Sequence, residues 1–126
     1  MELYIGGFAQ GKLAYVRKKY PQYTDLDVMD GSMPCGFHQH FKIWNHFHLW
    51  VKRRLLEGGD PESELEQFLT AYPDSIIICD EIGNGIIPLD HEERQYREYT
   101  GRLLCRIAKE AVCVERIICG VGCRIK

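Results

Sequence analysis

The chain has 126 residues, of which 45% are hydrophobic and 27% are charged, and its formal net charge is −2 at pH 7. This length suits one domain built on one core, and the small net charge gives no electrostatic reason to expect a nucleic acid or an anionic membrane as a partner. No apolar run approaches the length of a membrane span, and the N-terminus lacks the pattern of a signal peptide, so we expect a cytoplasmic protein.

The first predicted element is a strand that runs into a glycine-rich turn. The short apolar run Glu2–Ile5 is followed by a segment in which Gly6, Gly11 and Lys12 fit G-x-x-x-x-G-K, the start of a phosphate-binding P-loop. Glycines let the backbone point its N–H groups at a phosphate, and the next helix adds the positive end of its dipole. We therefore predict that a nucleotide binds along Gly6, Gly7, Phe8, Ala9, Gln10, Gly11, Lys12 and Leu13.

The residue after the lysine departs from the P-loop motif. A P-loop usually has Ser or Thr there, and its hydroxyl ligates Mg²⁺, whereas Leu13 has no ligating atom. A phosphate cradle is compatible with Leu13, but metal-assisted phosphoryl transfer is put in doubt by it. The competing interpretation is an ordinary glycine-rich turn between a strand and a helix, with Lys12 exposed to solvent.

The next segment predicts a helix and then a strand that ends in an acid. Lys12–Tyr20 has apolar residues at helical spacing and is stopped by Pro21. Tyr23–Asp30 includes an apolar and polar alternation, which favours a strand. A carboxylate at the end of such a strand can hold Mg²⁺ or accept a proton from an attacking hydroxyl, so Asp30 is a candidate metal ligand and catalytic residue. The alternative is a plain turn at Asp30-Gly31.

The middle of the chain predicts two helices. Phe37–Glu57 has aromatic residues at helical spacing, which is typical of a buried stripe, and a second helix starts at Asp60-Pro61 and ends near Tyr72. Four histidines fall in the first of these helices, at spacings that point them to different faces. We therefore favour structural or partly exposed roles over a metal site for His38, His40, His46 and His48.

The second half of the chain predicts the central strand and the last helix. Ser75–Cys79 is apolar throughout, as in a parallel strand covered on both faces, and it ends in Asp80-Glu81. Acids in this place lie at the carboxyl end of a sheet, where open α/β folds bind ligands. Leu89–Ala111 predicts a charged helix, and Glu115–Gly120 with Cys123–Lys126 predicts a terminal hairpin.

Alternating strands and helices predict one α/β domain over residues 1–126, with a mostly parallel sheet, helices on both faces and an antiparallel hairpin at the C-terminal edge. With the glycine-rich loop, this describes a three-layer sandwich like that of P-loop nucleotide hydrolases. The six cysteines form no C-x-x-C pair, and we expect them to be reduced thiols that serve mainly as small buried hydrophobes.

Motifs in the last third of the chain resemble those of one enzyme family. They comprise Asp80-Glu81-Ile82-Gly83-Asn84-Gly85-Ile86-Ile87-Pro88, Arg94, Tyr96-Arg97-Glu98, Gly101-Arg102 and the terminal run Gly120–Lys126. These are similar to N-E-V-G-x-G-I-V-P, R-x-F-R-D-x-x-G-R and the terminal hairpin of the adenosylcobinamide kinase / adenosylcobinamide-phosphate guanylyltransferase family. The glycine-rich loop is similar to that family's G-G-x-x-S-G-K-S.

The resemblance implies a P-loop fold, a GTP or ATP donor with Mg²⁺, and a corrinoid acceptor in the assembly of the lower loop of cobalamin. By position, it implies that Gly6, Gly7, Gly11 and Lys12 hold phosphates, that Asp30 lies near the metal or the acceptor hydroxyl, and that Glu81 and the loop over residues 83–88 face the site.

The chain also departs from the family pattern. Gln10 and Leu13 stand where the family has serines on either side of Gly-Lys. Family members are longer between the first helix and the strand that ends at Asp30, and that segment carries the histidine that becomes guanylylated. We therefore expect the guanylyltransferase half to be absent and the kinase half to be weakened.

Two hypotheses from different classes follow. The first is a reduced kinase that transfers a phosphoryl group from GTP or ATP to a hydroxyl, with Lys12 stabilising the transferring phosphate and Asp30 or Glu81 serving the metal or the proton. The second is a nucleotide-binding or assembly protein that keeps the fold without the chemistry. A short sheet with an aromatic-rich helix leaves apolar surface, so we also expect a homo-oligomer.

Overall fold

The computed structural model describes residues 1–34, 41–83 and 90–126, and six strands and four α-helices lie within these ranges. The strands are β1 (Glu2–Gly6), β2 (Val28–Asp30), β3 (Ile43–Asn45), β4 (Ile76–Asp80), β5 (Cys113–Ile118) and β6 (Val121–Arg124). The helices are α1 (Lys12–Lys19), α2 (Phe47–Leu56), α3 (Pro61–Ala71) and α4 (His91–Glu110), and a short 3₁₀ helix spans Asp25–Asp27.

All six strands belong to one sheet in the order β2-β3-β4-β1-β5-β6. The first five are parallel, and β6 is antiparallel to β5 at the edge. The predicted α/β fold with a mostly parallel sheet and an antiparallel terminal hairpin is therefore confirmed. Because β1 lies between β4 and β5, the loop that follows β1 opens in the inner part of the sheet, at the edge formed by the carboxyl ends of the strands.

Alternate residues of the central strands are buried on opposite faces of the sheet. On one face, Ile76 and Ile78 of β4 pack in a cluster with Val16 of α1. On the other face, Ile77 and Cys79 pack in a larger cluster to which α2, α3 and α4 all contribute. Both faces of the sheet are covered by helices, which explains why the sequence of β4 is apolar at every position before Asp80.

The prediction of one long helix over 37–57 is wrong. Ile43–Asn45 forms β3, between β2 and β4, and His46 adopts a left-handed backbone (φ 54°) before α2 begins at Phe47. The aromatic spacing misleads because strand and helix residues meet in one core: the rings of Trp44 on β3 and Trp50 on α2 lie 4.7 Å apart. Phe37, His38 and His40 lie outside the described residues.

The predicted strand over 23–30 is confirmed only at its end, in β2. Before it, Thr24 and Asp27 form a reciprocal cap around a 3₁₀ turn, and Leu26 is 91% exposed. Side-chain caps of this kind compete with strand pairing, which explains the shorter strand. The terminal hairpin also starts earlier than predicted, because Cys119 and Gly120 form its turn with φ of 50° and 76°.

The predicted α3 and α4 are confirmed, and each begins with a side-chain cap. The Ser63 N–H donates to the Asp60 carboxylate at the start of α3, and the Glu92 N–H donates to the Asp90 carboxylate at the start of α4. No α-helix in the described ranges is both long and apolar enough to cross a bilayer.

The expectation of buried thiols is correct for only some of the cysteines. The five described cysteines are free; Cys79 and Cys113 are buried, whereas Cys105, Cys119 and Cys123 are exposed. Cys105 is carried on a solvent-facing position of α4, and the other two lie in or after the hairpin turn.

Candidate functional site

The glycine-rich loop has the strand-before and helix-after context that a phosphate loop needs. Gly6 ends β1, Gly11 is the N-cap of α1 with a left-handed backbone (φ 81°), and Lys12 is the first residue of the helix. Between them, Ala9 is also left-handed and Phe8 is 85% exposed. The loop therefore stands out from the carboxyl edge of the sheet, and the N-terminus of α1 begins at its base.

Lys12 is buried beneath this loop. Its side chain is only 8% exposed, so the alternative in which Lys12 is solvated is wrong. The ammonium Nζ lies 2.6 Å from Oδ1 of Asp80 and donates to the carbonyl oxygen of Gly7 at 2.7 Å. The lysine thus joins the loop, α1 and the end of β4.

The sequence places Asp80 at the carboxyl end of the sheet but assigns it no role, and the structure makes it the partner of Lys12. It pairs in register with Gly6, directly beside the first residue of the loop. Because strand side chains alternate, Asp80 shares the α1 face with Ile76 and Ile78, whereas Glu81 belongs to the opposite face. This alternation was the signal in the sequence that could have separated the two acids.

His48 of α2 approaches the other side of the same carboxylate. Its Nε2 lies 3.4 Å from Oδ2 of Asp80, and its Nδ1 accepts the backbone N–H of Asp80 at 3.2 Å. Burial lowers the pKa of His48, and the nearby His46 and Lys12 charges lower it further, against the opposing effect of Asp80. The imidazole is therefore neutral at pH 7 with its remaining N–H on Nε2, towards Asp80.

Asp30 and His46 form a second acid–histidine pair at the same edge. Oδ1 of Asp30 lies 2.8 Å from His46 Nδ1 and accepts the N–H and hydroxyl of Ser32 at 2.9 and 2.7 Å. Partial burial acts to raise the pKa of Asp30, but the hydrogen bonds from Ser32 and His46 outweigh it and lower that pKa. The rings of His46 and His48 are 6.0 Å apart, so these two histidines approach each other despite their sequence spacing.

The sheet order separates the predicted site acids. β2 lies three places from β1, so Asp30 ends a strand about 14 Å from the loop-bearing strand. Glu81 lies next to Asp80, but its carboxylate forms a two-point ion pair with Arg116 of β5, at 2.7 and 2.9 Å. The acid that forms an ion pair with Lys12 is Asp80.

The described residues do not form a metal site by themselves. Leu13 packs against the apolar cluster beneath α1, which includes Tyr4 and Val16. In the part of the chain that the structure describes, no group of three or more histidine, cysteine or acidic residues is placed to hold a metal ion. The assignment of Asp30 as a metal ligand therefore stays a prediction.

Gln10 ties the loop to the terminal hairpin. Its backbone carbonyl accepts the N–H of Gly120 at 2.9 Å, and its side-chain Oε1 accepts the N–H of Cys119 at 2.7 Å. Its amide also donates to the carbonyl of Phe8. A residue predicted to contact nucleotide thus also fixes the position of the loop against β5 and β6.

A comparison with protein families gives one match. The profile of the cobinamide kinase / cobinamide phosphate guanyltransferase family matches residues 37–125, which is well over half of the chain. The matched range includes His46, His48, Asp80 and Glu81, and it begins after the glycine-rich loop. A comparison with curated proteins gave no match.

Proposed function

The chain belongs to the cobinamide kinase / cobinamide phosphate guanyltransferase family, and we propose that it is a kinase-like protein of cobalamin biosynthesis that binds GTP or ATP along Gly6–Leu13. The observation that carries this proposal is the placement of Lys12 at the base of a glycine-rich loop, between a strand end and a helix N-terminus. We further propose that residues 1–126 act as one nucleotide-binding domain and associate with themselves.

The proposed reaction is phosphoryl transfer to a hydroxyl of a corrinoid. The acceptor oxygen forms a bond to the γ-phosphorus, the bond from that phosphorus to the β–γ bridging oxygen breaks, and the nucleoside diphosphate leaves. Lys12 stabilises the charge on the transferring phosphate, and Asp30 or Glu81 takes the hydroxyl proton.

The second candidate function is nucleotide binding without transfer, in an assembly or scaffold role. Two observations favour it: Leu13 packs against the sheet where a metal-binding hydroxyl is usual, and Arg116 neutralises Glu81. Both carboxylate oxygens of Glu81 are already engaged by a protein partner.

The test compares the wild-type protein with Lys12→Ala by calorimetric titration of GTP and ATP, each with and without Mg²⁺. Removal of the ammonium deletes the charge-assisted contacts to phosphate, so we expect binding at least about tenfold weaker than wild type. Lys19→Ala, at the other end of α1, is the matched control and should bind like wild type.

Phosphoryl transfer to cobinamide is then followed with labelled nucleotide. Transfer by wild type that is lost in Lys12→Ala supports the kinase, whereas binding without transfer selects the scaffold. The absence of nucleotide binding to folded wild-type protein would sink both candidates.

A further inference from the structure

The ammonium of Lys12 has two protein acceptors in this structure. It lies 2.6 Å from Asp80 and 2.7 Å from the Gly7 carbonyl oxygen, and the side chain is almost fully buried. In a P-loop, the lysine instead reaches the terminal phosphates of the nucleotide, and backbone N–H groups rather than carbonyls face them. A phosphate bound by the loop would therefore compete with these two protein acceptors for the Lys12 ammonium.

The carboxylate of Asp80 is held where it is. One oxygen faces Lys12 and the other faces His48 Nε2, while the backbone N–H of Asp80 donates to His48 Nδ1. The Asp80 side chain is 15% exposed. To leave Lys12, it must give up the contact with the histidine as well, so the aspartate cannot simply swing away into solvent.

A phosphate and Asp80 carry charges of the same sign and require the same cation. Two anions close to one lysine repel each other, and this repulsion is strongest where solvent is excluded. Arg116 of β5 does not relieve this repulsion, because its guanidinium is bound by Glu81. Lys12 therefore cannot serve both anions at full strength.

We propose, resting on the nucleotide-binding function above, that Asp80 is an internal competitor for the phosphate and sets the affinity of the loop for polyphosphates. The polyphosphate exchanges for the carboxylate on Lys12, and His48 is a positioning residue that keeps the carboxylate in place. Polyphosphate binding must then break the Lys12–Asp80 ion pair. The affinity of the wild-type loop is therefore lower than that of the same loop without the Asp80 charge.

The variant that tests this is Asp80→Asn, which keeps the shape of the side chain and removes its charge. The probe is inorganic triphosphate in metal-free buffer, titrated calorimetrically into wild type, Asp80→Asn, Lys12→Ala and the double variant. We expect Asp80→Asn to bind about tenfold more tightly than wild type, or about 1.4 kcal/mol. The gain should disappear in the Lys12→Ala background, because no cation is then released.

Glu115→Gln is the matched control. It removes a carboxylate that pairs with Lys19 at the other end of the same helix, so it changes net charge equally and should leave triphosphate binding unchanged. If Asp80→Asn does not fold, as judged by circular dichroism, His48→Gln replaces it. Without His48, the Asp80 carboxylate can leave Lys12 more easily, so His48→Gln should also bind triphosphate more tightly than wild type, by a smaller factor than Asp80→Asn.

The outcomes separate the competitor role from the proposed function. If wild type binds GTP or ATP and Asp80→Asn binds triphosphate no more tightly, the competitor role is overturned and the function stands. If triphosphate binds more tightly to Asp80→Asn but nucleotides bind to neither protein, the competitor role stands and the function is overturned. A gain that persists in the double variant, or no binding at all, also overturns the competitor role.

Discussion

Helix α1 carries a lysine–carboxylate pair at each end, and the two pairs differ in their surroundings. At its start, Lys12 pairs with Asp80 under the glycine-rich loop. At its last residue, Lys19 pairs with Glu115 of β5 at 3.0 Å. The first pair belongs to the edge of the sheet where the strands end and the candidate site lies, whereas the second lies over the middle of the sheet.

The second pair is part of a network that holds the helix to the sheet. Lys19 also donates to the Tyr4 hydroxyl at 2.8 Å, and the hydroxyls of Tyr4 and Tyr20 both donate to Glu2 at 2.6–2.8 Å. Burial raises the pKa of Tyr4, and the neighbouring Glu2 raises it further, so this hydroxyl stays protonated. The charges of this network have protein partners, which is typical of a structural role.

The two ion pairs can be told apart by their surroundings, one as structural and one as part of the candidate site. Distance alone does not do it, because both lysines lie within 3.0 Å of their carboxylate. The environment does: Lys12 follows a loop with left-handed backbone at Ala9 and Gly11, and Lys19 ends a regular helix. A left-handed backbone beside a buried charge is typical of a binding loop, so the Lys12 end remains the predicted site.

Gly6→Ala is the substitution from which we expect the greatest loss of stability, and it tests how tightly the loop end of β1 is packed. A Cβ on Gly6 would lie 2.4 Å from the carbonyl oxygen of Ile117 on β5, and neither backbone can move without disturbing the central strands. We expect Gly6→Ala to lower the free energy of unfolding by about 3 kcal/mol or more, measured by urea denaturation. Gly7→Ala is the control, because its nearest neighbour is the Gln10 Cγ at 3.5 Å, and we expect a change within about 1 kcal/mol. If Gly6→Ala lowered the free energy of unfolding as little as Gly7→Ala does, the start of the loop would be loosely packed.

A smaller effect separates the two lysines. In Lys19→Met, the carboxylates of Glu2 and Glu115 lose their shared cation, and we expect a loss of about 1–3 kcal/mol in the free energy of unfolding. In Lys12→Met, one carboxylate, that of Asp80, loses its cation and keeps its contact with His48, so we expect a smaller loss. Both are read from the same denaturation curves. A larger loss for Lys12→Met would reverse the assignment of structural and functional ends.

The smallest effect is a difference in pH dependence. Burial lowers the pKa of His48 below its ordinary 6.5, so the unfolded chain binds the proton more readily, and stability falls as the pH drops below about 6.5. Although burial opposes it, hydrogen bonds from Tyr15 and Lys19 lower the pKa of Glu115 below 4.5, so the contribution of Glu115 is lost only below about pH 4.5.

The measurement is the unfolding free energy from pH 8 to pH 3, with a slope of at most about 1.4 kcal/mol per pH unit from each group. His48→Gln should flatten the curve near pH 6, and Glu115→Gln should flatten it below pH 4.5 only. A flattening near pH 6 in Glu115→Gln would contradict the separation of the two ends.

The parts of the fold that could be predicted from the sequence are those with local signals. β1, β4, α3 and α4 each carry their own apolar pattern, caps or breakers, and the structure has them close to the predicted bounds. β3 could not be predicted, because its three residues become a strand only by pairing with β2 and β4, which are distant in the chain. Its aromatic residue also fits the helical stripe of the segment that follows.

The candidate site also has one part with a local sequence signal and another part that depends on long-range contacts. Lys12 was predicted because its motif is contiguous, and the structure places it at the carboxyl edge as that motif requires. Asp80 and His48 were not predicted as site residues, because their meeting depends on how α2 packs over the end of β4. The family resemblance points to Glu81, whereas strand alternation puts Asp80 on the face covered by α1 and Glu81 on the opposite face.

The attachment of the loop to the hairpin gives the site a reporter. Gln10 accepts the amide hydrogens of Cys119 and Gly120, one through its side chain and one through its backbone. These amides exchange with solvent when Gln10 moves away from the hairpin, so their protection factors follow the opening of the loop. Deuterium uptake at this turn therefore measures the closed fraction of the loop without a label and without a ligand.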